Sequence, residues 1–280
     1  MSLRIWHQSF TVLQDIPGYS EALARRIKQV VRPDTEVVLH GQIPGTYSDD
    51  YPGSDIEYNF LFWLHGLQWI AAAREAQAQG YDAIVLATVP SPMIVQMRSL
   101  IDIPAVGYGD GAMNLAGLYG RRAGLMLFDT TRSESWPDTI HQWGLTERFC
   151  GVFESGVSFR DVLSGYTSPQ KRDEVVGRIV ASAERFVREK QVDVIVAGQM
   201  PMNLLLAEAG VTQIGGATVM DGIATCFKLA ETMVDLQKVS GMKASRRGYY
   251  HAQPDPRRID EALKFYGLQD LGKRIPEEKI

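Results

Sequence analysis

Tyr81-Asp82-Ala83-Ile84-Val85-Leu86-Ala87-Thr88-Val89-Pro90 is a stretch that the chain writes twice. The second copy reads Val192-Asp193-Val194-Ile195-Val196-Ala197-Gly198-Gln199-Met200-Pro201. Setting Asp82 on Asp193 gives an offset of 193 − 82 = 111, which also sets Pro90 on Pro201. Asp110-Gly111 and Asp221-Gly222 keep it, 221 − 110 = 111. Each copy reads as a short buried strand that ends in a turn. The duplication therefore predicts two similar lobes, with the strand ends Thr88 and Gln199 facing each other across a pseudo-twofold axis.

Working outward, strands alternate with helices. Strands are expected near 3–6, 36–39, 83–87 and 104–107 in the first half, and near 123–128, 149–153 and 194–197 in the second. Amphipathic spacing of Tyr19, Leu23, Ile27 and Val30, and of Val175, Val176, Ile179, Ala183 and Phe186, marks two of the helices. This alternation implies parallel sheets covered on both faces. In such sheets ligands bind outside the carboxyl ends of the strands. Chemistry is thus expected from loops at His7, His40, Thr88, Tyr108, Thr130 and Gln199. The polar loop 40–55 is long enough to expect a functional role. The helix expected over 57–79 is apolar all round, which predicts burial on every side, its second face against another subunit. The tail 240–280 is expected to pack across the lobes or onto a neighbour.

Composition bounds the function. Of 280 residues 45% are hydrophobic and 22% charged, with a net charge of −4. That balance gives no electrostatic case for nucleic acid or an anionic membrane as partner. No apolar run is long enough for a membrane helix and no basic, apolar leader opens the chain, so a cytoplasmic location is expected. Two cysteines suggest neither a disulfide scaffold nor a metal cluster, and five scattered histidines show no ligand spacing, so no metal is expected.

The pattern resembles the aspartate/glutamate/hydantoin racemase superfamily, over about residues 3–236, with hydantoin racemases as the nearest branch. The residues that carry it are the duplicated lobes, Asp82–Ala87, Ile103-Pro104-Ala105-Val106-Gly107, Asp193–Gly198 and Asp221-Gly222. The resemblance implies two flavodoxin-like α/β lobes related by a pseudo-twofold, with the active-site cleft between them. Residues 1–118 plus about 218–280 would form the first lobe and a C-terminal extension, residues 119–217 the second. It also implies a cofactor-independent enzyme acting on a small carboxylate or a hydantoin-like cyclic amide. Members place a cysteine at each strand end, one thiolate removing a proton beside a carbonyl and one thiol returning it from the opposite face. Here those positions are Thr88 and Gln199, and Cys150 and Cys226 lie elsewhere.

A thiol can be tuned to work as acid and base near neutrality, whereas a threonine hydroxyl titrates far too high and an amide is no base. Thr88 and Gln199 offer hydrogen bonds instead. The proton must then move through another group. His7 is the first candidate, followed by His40, Asp110 and Tyr47. Gln8, Ser9, Val89, Pro90, Tyr108, Met200 and Pro201 flank these strand ends as substrate-binding candidates, and Thr130-Thr131-Arg132 form a candidate carboxylate clamp. Asp110 and Asp221 fit helix N-caps that point their helices at the site. Three other readings stay open: a lyase or hydrolase on the same scaffold, a non-catalytic ligand binder, and an NAD(P)-dependent oxidoreductase. The last rests on Gly107-Tyr108-Gly109-Asp110-Gly111-Ala112, a G-x-G-x-x-A run between a strand and a helix.

Overall fold

The computed structural model describes residues 2–128 and 132–279. The first lobe runs β1 (Leu3–Gln8), α1 (Pro17–Val30), β2 (Thr35–His40), α2 (Gly53–Ile56), α3 (Asn59–Ala78), β3 (Ala83–Leu86), α4 (Ile94–Leu100), β4 (Ala105–Gly107) and α5 (Tyr108–Ala116). The second runs β5 (Ala123–Leu127), α6 (Trp136–Gln142), β6 (Phe149–Glu154), α7 (Phe159–Ser164), α8 (Pro169–Lys190), β7 (Val194–Ala197), α9 (Met200–Glu208), β8 (Gln213–Ile214) and β9 (Ala217–Met220). The chain then crosses back with α10 (Gly222–Ser240) and closes with α11 (Pro256–Phe265) and β10 (Glu277–Lys279).

The sheets are ordered β10-β2-β1-β3-β4 and β6-β5-β7-β9-β8. The inner strands of both are parallel, and only the edge strands β10 and β8 pair antiparallel. The repeat is exact in register, because 83 + 111 and 86 + 111 give the two ends of β7. Its two aspartates do the same work. Asp82 accepts the Arg4 N–H at 2.8 Å and so fixes the start of β1. Asp193 accepts the N–H groups of Arg121 and Arg122 at 2.9 and 3.0 Å and fixes the start of β5. Ile84 and Ile195 are fully buried, each worth about 1.5–3 kcal/mol over an exposed side chain.

One hydrophobic core runs through both lobes, from α1 and the inner face of β1 across α5 and α10 into β5, β7 and α9. A second lies on the outer face of the first sheet, under α3 and α4, around Trp6, Trp69 and Met97. Asp221 caps α10 by accepting the Ala224 N–H at 3.0 Å and binds the Arg26 guanidinium of α1. Asp110 corrects the expectation of a second cap. It is the third residue of α5, and it pairs with Arg98 at 2.6 Å. Three strands went unforeseen, β8, β9 and β10. All are short edge or near-edge pieces without a long apolar run. The expected helix 57–79 forms as α3, starting two residues later at Asn59 and preceded by the separate short α2, and it is not buried all round. The tail lies along the first lobe: Arg246 donates to the Arg98 and Ile101 carbonyls, and Arg74 pairs with Asp260.

Candidate active site

A cavity of about 370 Å³ lies between the lobes. The carboxyl ends of the two central strands of each sheet open into it: Ser9–Thr11 after β1, Ala87–Thr88 after β3, Leu127–Phe128 after β5 and Gly198–Gln199 after β7. The repeat thus delivers Thr88 and Gln199 to one space.

The two ends are built differently. Gln199 is the residue before α9 in extended backbone, and its Oε1 accepts the Phe128 N–H at 3.2 Å. That bond orients the amide and leaves its NH₂ as the donor. Thr88 opens a turn in which Ser91 and Met93 hold φ of 41° and 58°. Left-handed backbone at a residue other than glycine is sparsely populated and costs about 1–3 kcal/mol. Ser91 steadies the turn: its hydroxyl donates to the Thr88 carbonyl at 3.0 Å and accepts the Gly109 N–H at 3.3 Å. The Thr88 hydroxyl has no hydrogen-bond partner among the described residues.

Further hydroxyls complete the polar end. Ser9 Oγ lies 2.9 Å from Thr11 Oγ1 and accepts the Thr11 N–H at 3.2 Å. Tyr19 stands beside Ser9, and burial holds its hydroxyl above the ordinary phenol range, so it stays protonated. The opposite wall is apolar. Tyr51 stacks on Phe159 across the lobes at 4.9 Å, Phe128 meets Phe159 edge-on at 6.0 Å, and Phe10, Trp136 and Met200 complete the wall. The Trp136 indole N–H is buried without a partner among the described residues. Two charged side chains line the cavity among the described residues, Glu57 at its mouth and Arg132, whose guanidinium sits 4.1 Å over the Phe62 ring.

Of the expected site residues, Ser9, Thr88, Pro90, Arg132, Gln199, Met200 and Pro201 line the cavity. Thr130 and Thr131 lie outside the described residues. The others do not line it. His7 is fully buried on the inner face of β1, its ring 6.1 Å from Phe227 of α10, and neither ring nitrogen has a partner among the described residues. Burial, reinforced by nearby His40, depresses its pKa from 6.5 to about 3, so it is a neutral core residue. His40 stacks on Trp6 at 3.3 Å, and burial lowers its pKa to about 4. Gln8 spends its amide on the Ser9 and Gly41 carbonyls and on the Trp6 indole. Tyr47 donates to the Phe10 carbonyl, and Val89 is buried. Tyr108 crosses the lobes to donate to the Ala197 carbonyl. Asp110 and Asp221 are held by arginines. Depth along the strand explains His7: it shares a face with Ser9, but it lies within β1 near Phe227 of α10, whereas Ser9 lies past the strand end.

The glycine run is filled by protein. A methyl group on Gly109 would collide with the Val89 carbonyl, and one on Gly107 with Ser91 and Asp110. These glycines let the Thr88 turn approach α5, and no room for a pyrophosphate remains there. Cys226 is buried in α10 and Cys150 half-buried in β6, both thiols raised by burial, and neither lines the cavity. The described residues hold no group of three potential metal ligands, and no helix among them is long and apolar enough to cross a membrane.

Sequence reasoning missed Thr11, Tyr19, Trp136 and Phe159, and the part that Tyr51–Glu57 play as a cover. The length of the loop from residue 40 was the available signal for the cover. The aromatic wall carried none, since its aromatic members come from five separate segments of the chain.

Comparison with known proteins gives a consistent picture. The family described as Asp/Glu/Hydantoin racemase matches residues 18–230. A hydantoin racemase from Pseudomonas sp. (strain NS671) is 24% identical over 252 residues, which is 89% of this chain and 92% of that protein. The structure of an allantoin racemase from Klebsiella pneumoniae superposes with a TM-score of 0.70 at 20% identity, covering 91% of this chain and 94% of the other. An allantoin racemase from Pseudomonas fluorescens gives 0.66 at 23% identity, covering 91% and 98%.

Proposed function

The chain belongs to the Asp/Glu/hydantoin racemase family, and we propose that it is a cofactor-independent isomerase that moves a proton at the carbon beside a carbonyl. Its substrate in this reading is a small carboxylate or hydantoin-like cyclic amide with an apolar substituent. The observation that carries the proposal is the meeting of Thr88 and Gln199, equivalent by the repeat, in one cavity.

The chemistry follows from what these groups can do. Removing a proton beside a carbonyl puts negative charge on the carbonyl oxygen. The Gln199 amide, oriented by Phe128, and the Thr88 hydroxyl donate to that oxygen where charge develops. Ser9, Thr11 and Tyr19 bind the remaining polar edge, and the aromatic wall takes the substituent. Because His7 is a neutral core residue, the proton passes through Glu57, the carboxylate that lines the cavity among the described residues.

The absence of a thiol at either strand end favours a second reading, a lyase or hydrolase step through the same stabilised oxyanion. Incubation of substituted hydantoins and α-substituted carboxylates in D₂O, followed by proton NMR, separates the two. Exchange at the α-carbon without a new compound supports the isomerase. A new product supports the lyase or hydrolase. Ligand-induced stabilisation with neither would leave a binder and contradict both. Glu57→Gln is expected to abolish exchange while ligand binding persists.

A further inference from the structure

α3 is apolar along most of its length, and its few polar side chains share one task. The tail covers its carboxyl half, where Gly272 packs against Ala71 and Glu75. Between Phe60 and Ala73 the polar residues are His65 and Gln68, about one turn apart on the same face. Both reach the long loop that follows β2. Gln68 holds its start: the side-chain amide accepts the Ile43 N–H at 2.9 Å and donates to Thr46 Oγ1 at 2.8 Å. His65 holds its end, where Nε2 meets Asp55 Oδ2 of α2 at 3.1 Å. An ionised carboxylate only accepts, so the ring is the donor.

The segment that His65 fastens is built as one piece. Asp55 takes the Ser48 hydroxyl on its other oxygen at 2.8 Å, while Asp49 takes the Tyr51 N–H at 2.7 Å and the Ser54 hydroxyl at 3.0 Å. These bonds cross-link residues 48–57 into a unit that roofs the cavity with Tyr51, Pro52, Ser54, Ile56 and Glu57. The Glu57 N–H bonds the Gly53 carbonyl at 3.2 Å, so Glu57 rides on α2. Across the cleft, Tyr51 rests on the Phe159 ring and Arg160 reaches Asp50 at 3.4 Å, both charged side chains being exposed. An exposed ion pair contributes little. The His65 and Asp55 side chains are only 12% and 14% exposed. A carboxylate this shielded is costly to leave without its partner. Without the ring it regains water by swinging outward, and α2 goes with it. On the reading that Glu57 carries the proton, we infer that His65 is a positioning residue: it fastens the 48–57 cover through Asp55 and so sets where Glu57 stands over a bound ligand.

Hydrogen–deuterium exchange of the full chain, read by mass spectrometry, tests the fastening, and α-proton exchange of 5-benzylhydantoin tests its consequence. His65→Ala is expected to speed deuterium uptake by the 48–57 peptide about tenfold or more, while peptides of β3 and β7 keep their rates. It is expected to lower kcat about tenfold or more with KM held within about threefold, because Ser9, Thr88 and Gln199 still bind the ligand while the carrier is displaced. His65→Gln, whose amide can donate to Asp55, should return both to within about threefold of the unchanged protein. Unchanged uptake by 48–57 in His65→Ala overturns the inference. Faster uptake spread over β3 and β7 does so too, since His65 would then support the whole lobe. A loosened cover with kcat unaltered overturns the positioning role. If the unchanged protein exchanges no α-proton, the proton-transfer reading fails by itself, and the fastening of the cover is still decided by the deuterium uptake of 48–57.

Discussion

The two copies of the repeated strand are alike up to their last residue and unlike immediately after it. Both are fully buried, and both are preceded by an aspartate that ties the neighbouring strand. Past the strand, the first copy enters a turn with two left-handed residues and delays its helix to Ile94, whereas the second starts α9 at Met200. The first therefore presents a threonine hydroxyl on a strained loop, the second an amide at a helix start. Duplication supplied the frame of the cleft, and divergence at the strand ends supplied its chemistry.

The largest contrast falls on Gly222 and Gly111, which are equivalent by the repeat. A methyl group on Gly222 would collide with the Tyr108 ring, which cannot move because its hydroxyl is held by Ala197. One on Gly111 would meet only side-chain ends, Leu229 at 3.2 Å and Val106 at 3.5 Å. Thermal unfolding should show Gly222→Ala destabilised by about 3 kcal/mol or more. Gly111→Ala should stay within about 1 kcal/mol of the unchanged protein, the helix preference for alanine offsetting the close contact. Equal losses would mean that the lobes do not meet through Tyr108.

The aspartates give the next contrast. Asp193→Ala removes two charge-assisted bonds and Asp82→Ala one. Urea titration should read about 3 kcal/mol for the first and about 2 for the second.

Acid sensitivity should belong to one lobe. His7 pairs with Val85, and Leu125 pairs with Val196, the equivalent of Val85, so leucine stands in the second lobe where the first has a histidine. The folded state holds His7 neutral down to about pH 3, while the unfolded chain takes up the proton near 6.5. The stability this site contributes is complete above 6.5 and declines as pH falls toward 3. At about pH 5 the loss is about 2 kcal/mol. His7→Leu should roughly halve the slope of that part of the pH profile of the melting temperature, the remainder coming from His40, which burial lowers to about 4. An unchanged slope would contradict the burial argument.

How far the sequence carried the account differs between frame and site. The repeat, the inner parallel strands of each half and the strand ends at the cleft were legible because buried parallel strands are short apolar runs with little ambiguity. The identity of the proton carrier was not. His7 is chemically apt and shares the inner face of β1 with Ser9, yet it lies two residues back from it, inside the strand and near Phe227 of α10, while Ser9, past the strand end, reaches the cavity. The apolar character of α3 was legible too. Which half of it the tail covers depends on long-range packing that no local pattern records.

The central claim is that Thr88 and Gln199 stand on opposite faces of one bound ligand. Installing thiols at those positions tests it most directly, with α-proton exchange of each enantiomer of 5-benzylhydantoin followed in D₂O. The account predicts that Thr88→Cys and Gln199→Cys singly enhance exchange of opposite enantiomers, and that the double variant enhances both. Enhancement of the same enantiomer by both single variants, or none in the double variant while the ligand still raises its melting temperature, would contradict it.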